Sequence, residues 1–325
     1  MKKCVNAGGG ILLGIILLLG LPADLVGSEL GHYNPGLPNI RDLFLPDPGF
    51  YYIQYNLYYT SDTYKDRRGR SLSSLPAGPG SVDIDFDLDI FMVVPMLVWI
   101  SPGEILGARY GAYVAPSFGN SSFGAALETE IGWGRSINES QFAAGDLYLQ
   151  PLWLGWPLDH WDFAFGYGLY FPVGKYEKGA ADNVGLGFWS HQFQAAAACY
   201  PWKNRATALT LAVTYDLNSE KEDSDITPGS HLSLNWGISQ YLPLSGEELL
   251  LEVGLLGYDQ WKVAADRGDD LVLEPAYDRV HAVGIQCGVT YTPIPGYLNF
   301  KYLYEYDAKA RFEGEVLNLS FLAKF

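Results

Sequence analysis

Val82-Asp83-Ile84-Asp85-Phe86-Asp87-Leu88-Asp89-Ile90 alternates without a fault. Carboxylates hold the odd positions and apolar side chains the even ones. Successive side chains of a strand point to opposite faces, whereas a helix would scatter these four aspartates around its circumference. The stretch is therefore a strand with one wet and one dry face. What the dry face meets, protein core or lipid, decides the fold. The pattern runs on to Ile100, and on the Asp parity it continues Phe91, Val93, Pro95, Leu97, Trp99. The charged face thus turns apolar halfway along. We expect the even face to meet lipid and the odd face to line a lumen, with a bulge at Pro95, which cannot donate to a ladder.

The same two-residue period recurs through the chain. It predicts strands at 50–60, 82–100, 105–115, 145–156, 161–171, 187–200, 206–217, 231–242, 249–261, 280–292, 297–307 and 315–325. Short connections, such as a turn at Pro102-Gly103, alternate with longer, more charged ones, including 308–314. That alternation is what an outer-membrane barrel shows. The expected fold class is all-β, an antiparallel transmembrane β-barrel of about twelve strands with both termini in the periplasm. The count requires 119–144 to be an extracellular excursion rather than another crossing.

Composition agrees. Aromatic residues make up 15% of the 325, and charged residues make up 18%, below the usual quarter or so. Trp161, Trp189, Trp236, Tyr215 and Tyr291 lie near predicted strand ends on dry faces, as in the interfacial girdles of a barrel. Lys2, Lys3 and the apolar run 11–21 read as a secretory signal cut near Gly27 and Ser28. We expect a signal peptide at 1–28, a Pro/Gly-rich segment at 29–48 that could plug the lumen, and the barrel at 49–325. No later run offers the ~20 apolar residues of a membrane helix. Cys199 and Cys287 fall on dry faces of strands that are not neighbours and read as free thiols. The set expected to line the lumen and any substrate path is Asp83, Asp85, Asp87, Asp89, Phe91, Trp99, Arg109, Asp146, Asp162, Asp216, Glu252, Lys301 and Glu305.

Several pieces, taken in order, carry a family likeness. They are His32-Tyr33-Asn34-Pro35-Gly36, Pro48-Gly49-Phe50-Tyr51, Gly145-Asp146-Leu147-Tyr148-Leu149, Gly168-Leu169-Tyr170-Phe171-Pro172-Val173-Gly174, Tyr215-Asp216-Leu217-Asn218 and Gly257-Tyr258-Asp259-Gln260. The chain resembles the family of outer-membrane proteins named for the MetA pathway of phenol degradation. The resemblance implies a barrel associated with catabolism of aromatic compounds and uptake of hydrophobic substrates, with no catalytic residues to carry over.

The chemistry is otherwise sparse. Five histidines are scattered without metal-ligand spacing, and there is no nucleophile elbow or phosphate-binding glycine loop. No cofactor and no metal are expected. A net charge of −16 argues against nucleic acid as a partner. The Asp ladder has three readings: a solvated lumen face, charge pairing with Arg109 and with Arg67, Arg68 and Arg70, or a divalent cation site. The expected function is a channel for hydrophobic or aromatic small molecules. Its rivals are a structural or adhesive surface protein and a barrel hydrolase whose Ser-His pair assembles only in space. Expected partners are outer-membrane lipid, the substrate, and the assembly machinery, which would read the terminal Phe325.

Overall fold

The computed structural model describes residues 28–325 except 78–79, 130–133, 179, 181–182, 246–247, 272–274 and 294–295. The expected signal peptide, Ser28 aside, lies outside the described residues. The strands are β1 (Gly49–Lys65), β2 (Ser74–Ala77), β3 (Gly80–Ile105), β4 (Ala108–Ala115), β5 (Phe118–Thr129), β6 (Gly134–Ala144), β7 (Leu147–Pro157), β8 (Trp161–Phe171), β9 (Ser190–Cys199), β10 (Thr207–Asn218), β11 (His231–Ser245), β12 (Leu249–Lys262), β13 (Arg279–Tyr291), β14 (Gly296–Lys309) and β15 (Arg311–Lys324). All pairs are antiparallel. β1 pairs with β15 on one side and β3 on the other, which closes a barrel of twelve: β1, β3, β4 and β7 to β15.

The other three strands form a wing. β3 is 26 residues long. Its lower half pairs with β4 and its upper half with β5, in one unbroken register from Leu97↔Val114 to Val93↔Phe118. That register sets Pro95 opposite Pro116, two residues with no N–H to give, and this is where β4 and β5 separate. β5 pairs with β6, which leads into β7, and β2 pairs with the far end of β3. The segment 119–144 is thus a hairpin raised above the ring and not another crossing. Pro95 keeps its register against Gln54 of β1, so the expected bulge is absent from that side.

Two turns differ from expectation. The β3–β4 reversal falls at Leu106-Gly107, with φ of 54° and 69°, while Pro102-Gly103 lies in a register shift inside the strand. A two-residue hairpin loop wants both central residues at positive φ, which proline cannot adopt. The expected long loop at 308–314 is instead a tight turn between β14 and β15, with Ala310 at φ 53°.

Alternation sorts the faces of the ring. On β14, Asn299, Lys301 and Glu305 are buried inside, while Leu298, Phe300, Tyr304 and Tyr306 are exposed outside. Val283, Ile285 and Val289 of β13 and Leu209, Leu211 and Val213 of β10 extend the same exposed apolar belt. Cys199 and Cys287 are free thiols, and Cys287 lies exposed within that belt.

On the strand that opens the sequence reading, the assignment of faces is reversed. Val82, Ile84 and Phe86 are buried inside against Tyr64, Leu75, Ala125 and Leu127. Asp83, Asp85 and Asp87 are exposed on the outer face, and Asp89, half-buried, accepts a 2.6 Å hydrogen bond from Tyr58 there. Further along the same face, Phe91, Leu97 and Trp99 are exposed as part of the apolar belt. The physical reason is height. Above the belt the outer medium is water and the interior is the dry phase. The change from Asp89 to Phe91 marks where water outside gives way to an apolar surround.

Candidate functional site

The segment before β1 runs through the barrel from the long-loop end to the short-turn end. Ser28 and Glu29 bond to Lys262, beside the long loops, and Pro46 and Asp47 meet Arg109 near the β3–β4 turn. β1 begins and β15 ends at the short-turn end, yet residue 28 sits at the opposite one. With four prolines and two glycines from residue 35 to residue 49, this stretch builds no ladder, so its polar groups find partners on the wall.

Those partners lie mostly on one arc. Lys301 Nζ donates to the carbonyls of Leu37 and Pro38 at 3.1 and 2.7 Å. Asn299 and Ser320 bind the Asn39 side chain, Gln286 accepts from the Ile40 amide, and Asn235 binds the Pro35 carbonyl and the Tyr33 hydroxyl. Arg41 donates to Ser239 and Glu252 and to the carbonyls of Arg205 and Ala206, with its guanidinium 4.2 Å above the Tyr241 ring. The wall makes room with small residues. A Cβ on Gly237 would come within 2.8 Å of Ile40, and one on Gly155 within 2.8 Å of Leu45. Leu43, Phe44 and Leu45 pack into Ala164, Ala196 and Ala212.

The opposite arc is apolar. Ile53, Leu57, Ile90, Met92, Val94 and Met96 face a cavity of about 1020 Å³ that also touches the N-terminal segment. Beside them, on β4, β7 and β8, stands an aromatic row packed against Val94 and Met96, with Tyr113 5.6 Å from both Trp153 and Tyr148, and Tyr148 4.4 Å from Tyr170. The cavity is a slot whose wall on this side runs from aliphatic side chains into hydroxyl-bearing rings.

His32 ties the segment to the wall near the long-loop end. Its Nε2 lies 2.9 Å from Asp146 Oδ2 and its Nδ1 2.7 Å from Ser190 Oγ, and it stacks on Tyr170. Asp146 also accepts from the amides of Gly174 and Leu186, so its carboxylate only accepts. Burial lowers the His32 pKa, while the hydrogen bond and charge of Asp146 act to raise it. A Ser-His-Asp trio invites comparison with a hydrolase, but Ser190 is fully buried and its single proton is shared with Asn218 Oδ1 at 2.6 Å. A nucleophile needs its hydroxyl at the substrate and its proton on the base alone. The trio is a clamp.

The structure divides the expected lumen set. Arg109, Asp146, Asp162, Asp216, Glu252, Lys301 and Glu305 point inward, whereas Asp83, Asp85, Asp87, Asp89, Phe91 and Trp99 point outward. The inward residues do not form one path. Lys301 and Glu252 hold the segment, Asp162 pairs with Arg205 and Tyr200 at the short-turn end, and Glu305 accepts from Tyr258 and Tyr59. Asp216 lies against Gly31. Arg109 meets Asp47 at 3.2 Å instead of the Asp ladder, and Arg70 pairs with Asp66. Among the described residues no group of three His, Cys, Asp or Glu is placed to hold a metal ion. Sequence reasoning missed the aliphatic even face of β3 as a cavity wall, and His32 as a clamp.

Residues 73–321 match the family described as "Putative MetA-pathway of phenol degradation". Among solved structures, the fold is similar to the COG4313 outer membrane channel from Pseudomonas putida F1. That likeness has 16% identity and a TM-score of 0.60, covering 89% of this chain and 100% of that one. The β domain of the Bordetella autotransporter BrkA matches at 9% identity and a TM-score of 0.48, covering 86% of this chain and 100% of that one. No curated protein matches the chain.

Proposed function

This chain belongs to the MetA-pathway of phenol degradation family, and on that premise we propose that it is an outer-membrane channel for apolar or aromatic small molecules. One observation carries the reading. The N-terminal segment bonds to the polar arc of the wall and leaves a cavity of about 1020 Å³ that is mostly apolar where β1 and β3 line it, with Lys221, Asp266, Glu305 and Arg311 at its charged end. A water-filled pore would line its free space with polar groups, as porins do. A pocket for an apolar solute is instead mostly hydrocarbon, with a few polar groups to orient the ligand. Here Ile90, Met92 and Val94 supply the hydrocarbon, and Tyr113 and Tyr148 supply hydroxyls. The apolar belt outside supports a ring set in a bilayer. The buried Ser190 keeps this reading apart from a hydrolase.

The test is uptake of a fluorescent apolar amine by liposomes holding the purified protein. Native protein should speed entry over empty liposomes. Met92→Asp, which puts a charge into the slot, should slow it ~tenfold, since an unpaired carboxylate is strongly disfavoured there. Equal rates in native protein, variant and empty liposomes would defeat the proposal.

A further inference from the structure

The outer face of β1 interrupts the apolar belt. Tyr51, Tyr55 and Leu57 are buried inside, so alternation turns Phe50, Tyr52, Gln54, Asn56 and Tyr58 outward. Three of these side chains form a hydrogen-bonded stripe with each other. Tyr52 donates to Gln54 Oε1 at 2.7 Å, Gln54 to Asn56 Oδ1 at 2.9 Å, and Asn56 to the Leu319 carbonyl at 3.0 Å. Belt residues enclose the stripe along the strand. Phe50 lies below it and Phe91, across from Tyr58, above, 62% and 41% exposed.

Its flanks are apolar too. Gln54 stands across from Pro95 and Phe321, and Asn56 across from Val93 and Leu319, side chains that offer no hydrogen bond. On β10 and β13 the outward residues are Leu209, Leu211 and Val213 and Val283, Ile285, Cys287 and Val289, with no carboxamide among them. A carboxamide has two N–H groups and an oxygen with two lone pairs. The bonds above use one of each on Gln54 and on Asn56. Both amides are half-buried, and each keeps a donor and an acceptor site that hydrocarbon cannot meet.

We propose that the stripe is an interface between two copies of this chain in the membrane, with Gln54 and Asn56 of one copy bonded to those of the other. The inference rests on the belt meeting lipid, as in the reading above. Two barrels inserted with the same orientation are related by a two-fold axis along the membrane normal. That axis keeps depth, so a residue on it meets its own copy, and the surface must complement itself. Carboxamides do so, each offering what the other accepts, whereas a row of carboxylates or ammoniums would repel its copy. Amide side chains bond across interfaces within a bilayer in this way. Leu97 and Leu319, 60% and 48% exposed on the two neighbouring strands, supply an apolar rim around the polar centre.

The test reads mass and proximity. Protein released from outer membranes in a mild detergent should have twice the mass of one chain by native mass spectrometry. Gln54→Leu with Asn56→Leu makes the stripe like the rest of the belt. It should halve that mass and leave heat-modifiable gel mobility and apolar uptake at native levels. In a Cys199→Ser, Cys287→Ser background, Asn56→Cys should oxidise to a chain-to-chain disulfide in intact outer membranes. Leu211→Cys on β10, opposite β1 in ring order, should not. If the double variant does not fold, the two cysteine positions decide. A single-chain mass without the Asn56→Cys disulfide overturns the proposal. So does a double mass that survives both leucines, a cross-linked band of any other mass, or equal cross-linking at the two positions. Uptake reads the slot and mass reads the interface, so the failure of one reading is not the failure of the other.

Discussion

Tyr55 of β1 donates a 2.6 Å hydrogen bond to the Asp42 carboxylate of the N-terminal segment. It ties the segment to the apolar side of the wall, where its neighbours Ile53 and Leu57 can offer Asp42 nothing. The Asp42 carboxylate also accepts the Asn39 amide at 3.0 Å. Tyr55→Phe should therefore weaken the segment's seat by about 1.5–3 kcal/mol, the range for a hydrogen bond to a charged group. Single-channel recordings in planar bilayers should show larger or more frequent openings. Recordings identical to native would remove this bond from the account.

The clamp on His32 should make the segment sensitive to acid. Because burial lowers its pKa, with Asp146 opposing, the folded protein binds this proton less readily than the unfolded chain, whose histidine titrates near 6.5. The stability from neutral His32 is present above about pH 6.5 and is lost as pH falls below it toward the folded value. Protease cleavage within residues 29–48 should accelerate between pH 7 and pH 5 in native protein. In His32→Gln that step should be absent, and an unchanged pH profile in the variant would contradict the assignment.

Leu43, Phe44 and Leu45 close the short-turn end by packing into Ala164, Ala196 and Ala212. Ala196→Leu overfills that socket and should destabilise the seated segment by about 1–3 kcal/mol. Thermal melts should show a lower first transition and bilayers a higher ionic conductance. Ala196→Ser, which adds little volume, should leave the conductance alone. If both variants behave alike, packing volume is not what seals this end.

The two faces of β3 can be told apart by labelling. In a Cys199→Ser, Cys287→Ser background, Asp85→Cys should react with a membrane-impermeant maleimide added to intact cells. Leu97→Cys, within the apolar belt, should react only with a lipid-soluble reagent. Neither substitution touches the slot, so apolar uptake should stay at the native rate. Protection of Asp85→Cys would return the ladder to the interior.

The barrel was largely legible because its signals are local. A period of two identifies strands whatever they face, and the alternation of short and long loops gave the twelve. What the period cannot say is which face of a strand is inside. In the ring, lipid makes the outer face apolar. At Asp83 to Asp89 water lies outside, so the same alternation carries the opposite meaning, and nothing within nine residues distinguishes the two cases. His32 and Asp146 are 114 positions apart and are joined by no pattern. A faint sign of the threaded segment was present in the lumen-facing residues Gly155, Gly237, Ala196 and Ala212, too small to fill a ring by themselves. The Leu106-Gly107 turn was hidden by Pro102-Gly103, because proline and glycine advertise a bend without specifying which hairpin geometry the strands need.

The wing extends the slot's wall past the bilayer. Phe86 and Leu88 carry the apolar lining of Ile90 and Met92 upward to four residues beyond Ile90, roughly 13 Å along the strand at ~3.3 Å per residue, and above them Val82 and Ile84 are buried against Tyr64, Leu75, Ala125 and Leu127. Its outward side is carboxylate all the way, which keeps the structure wetted from without. On the proposed function, the wing then acts as a chimney whose greasy lining begins at Phe86. A solute of low solubility would leave water there and descend along hydrocarbon, without dissolving in the hydrated headgroup layer that would otherwise stand between it and the membrane.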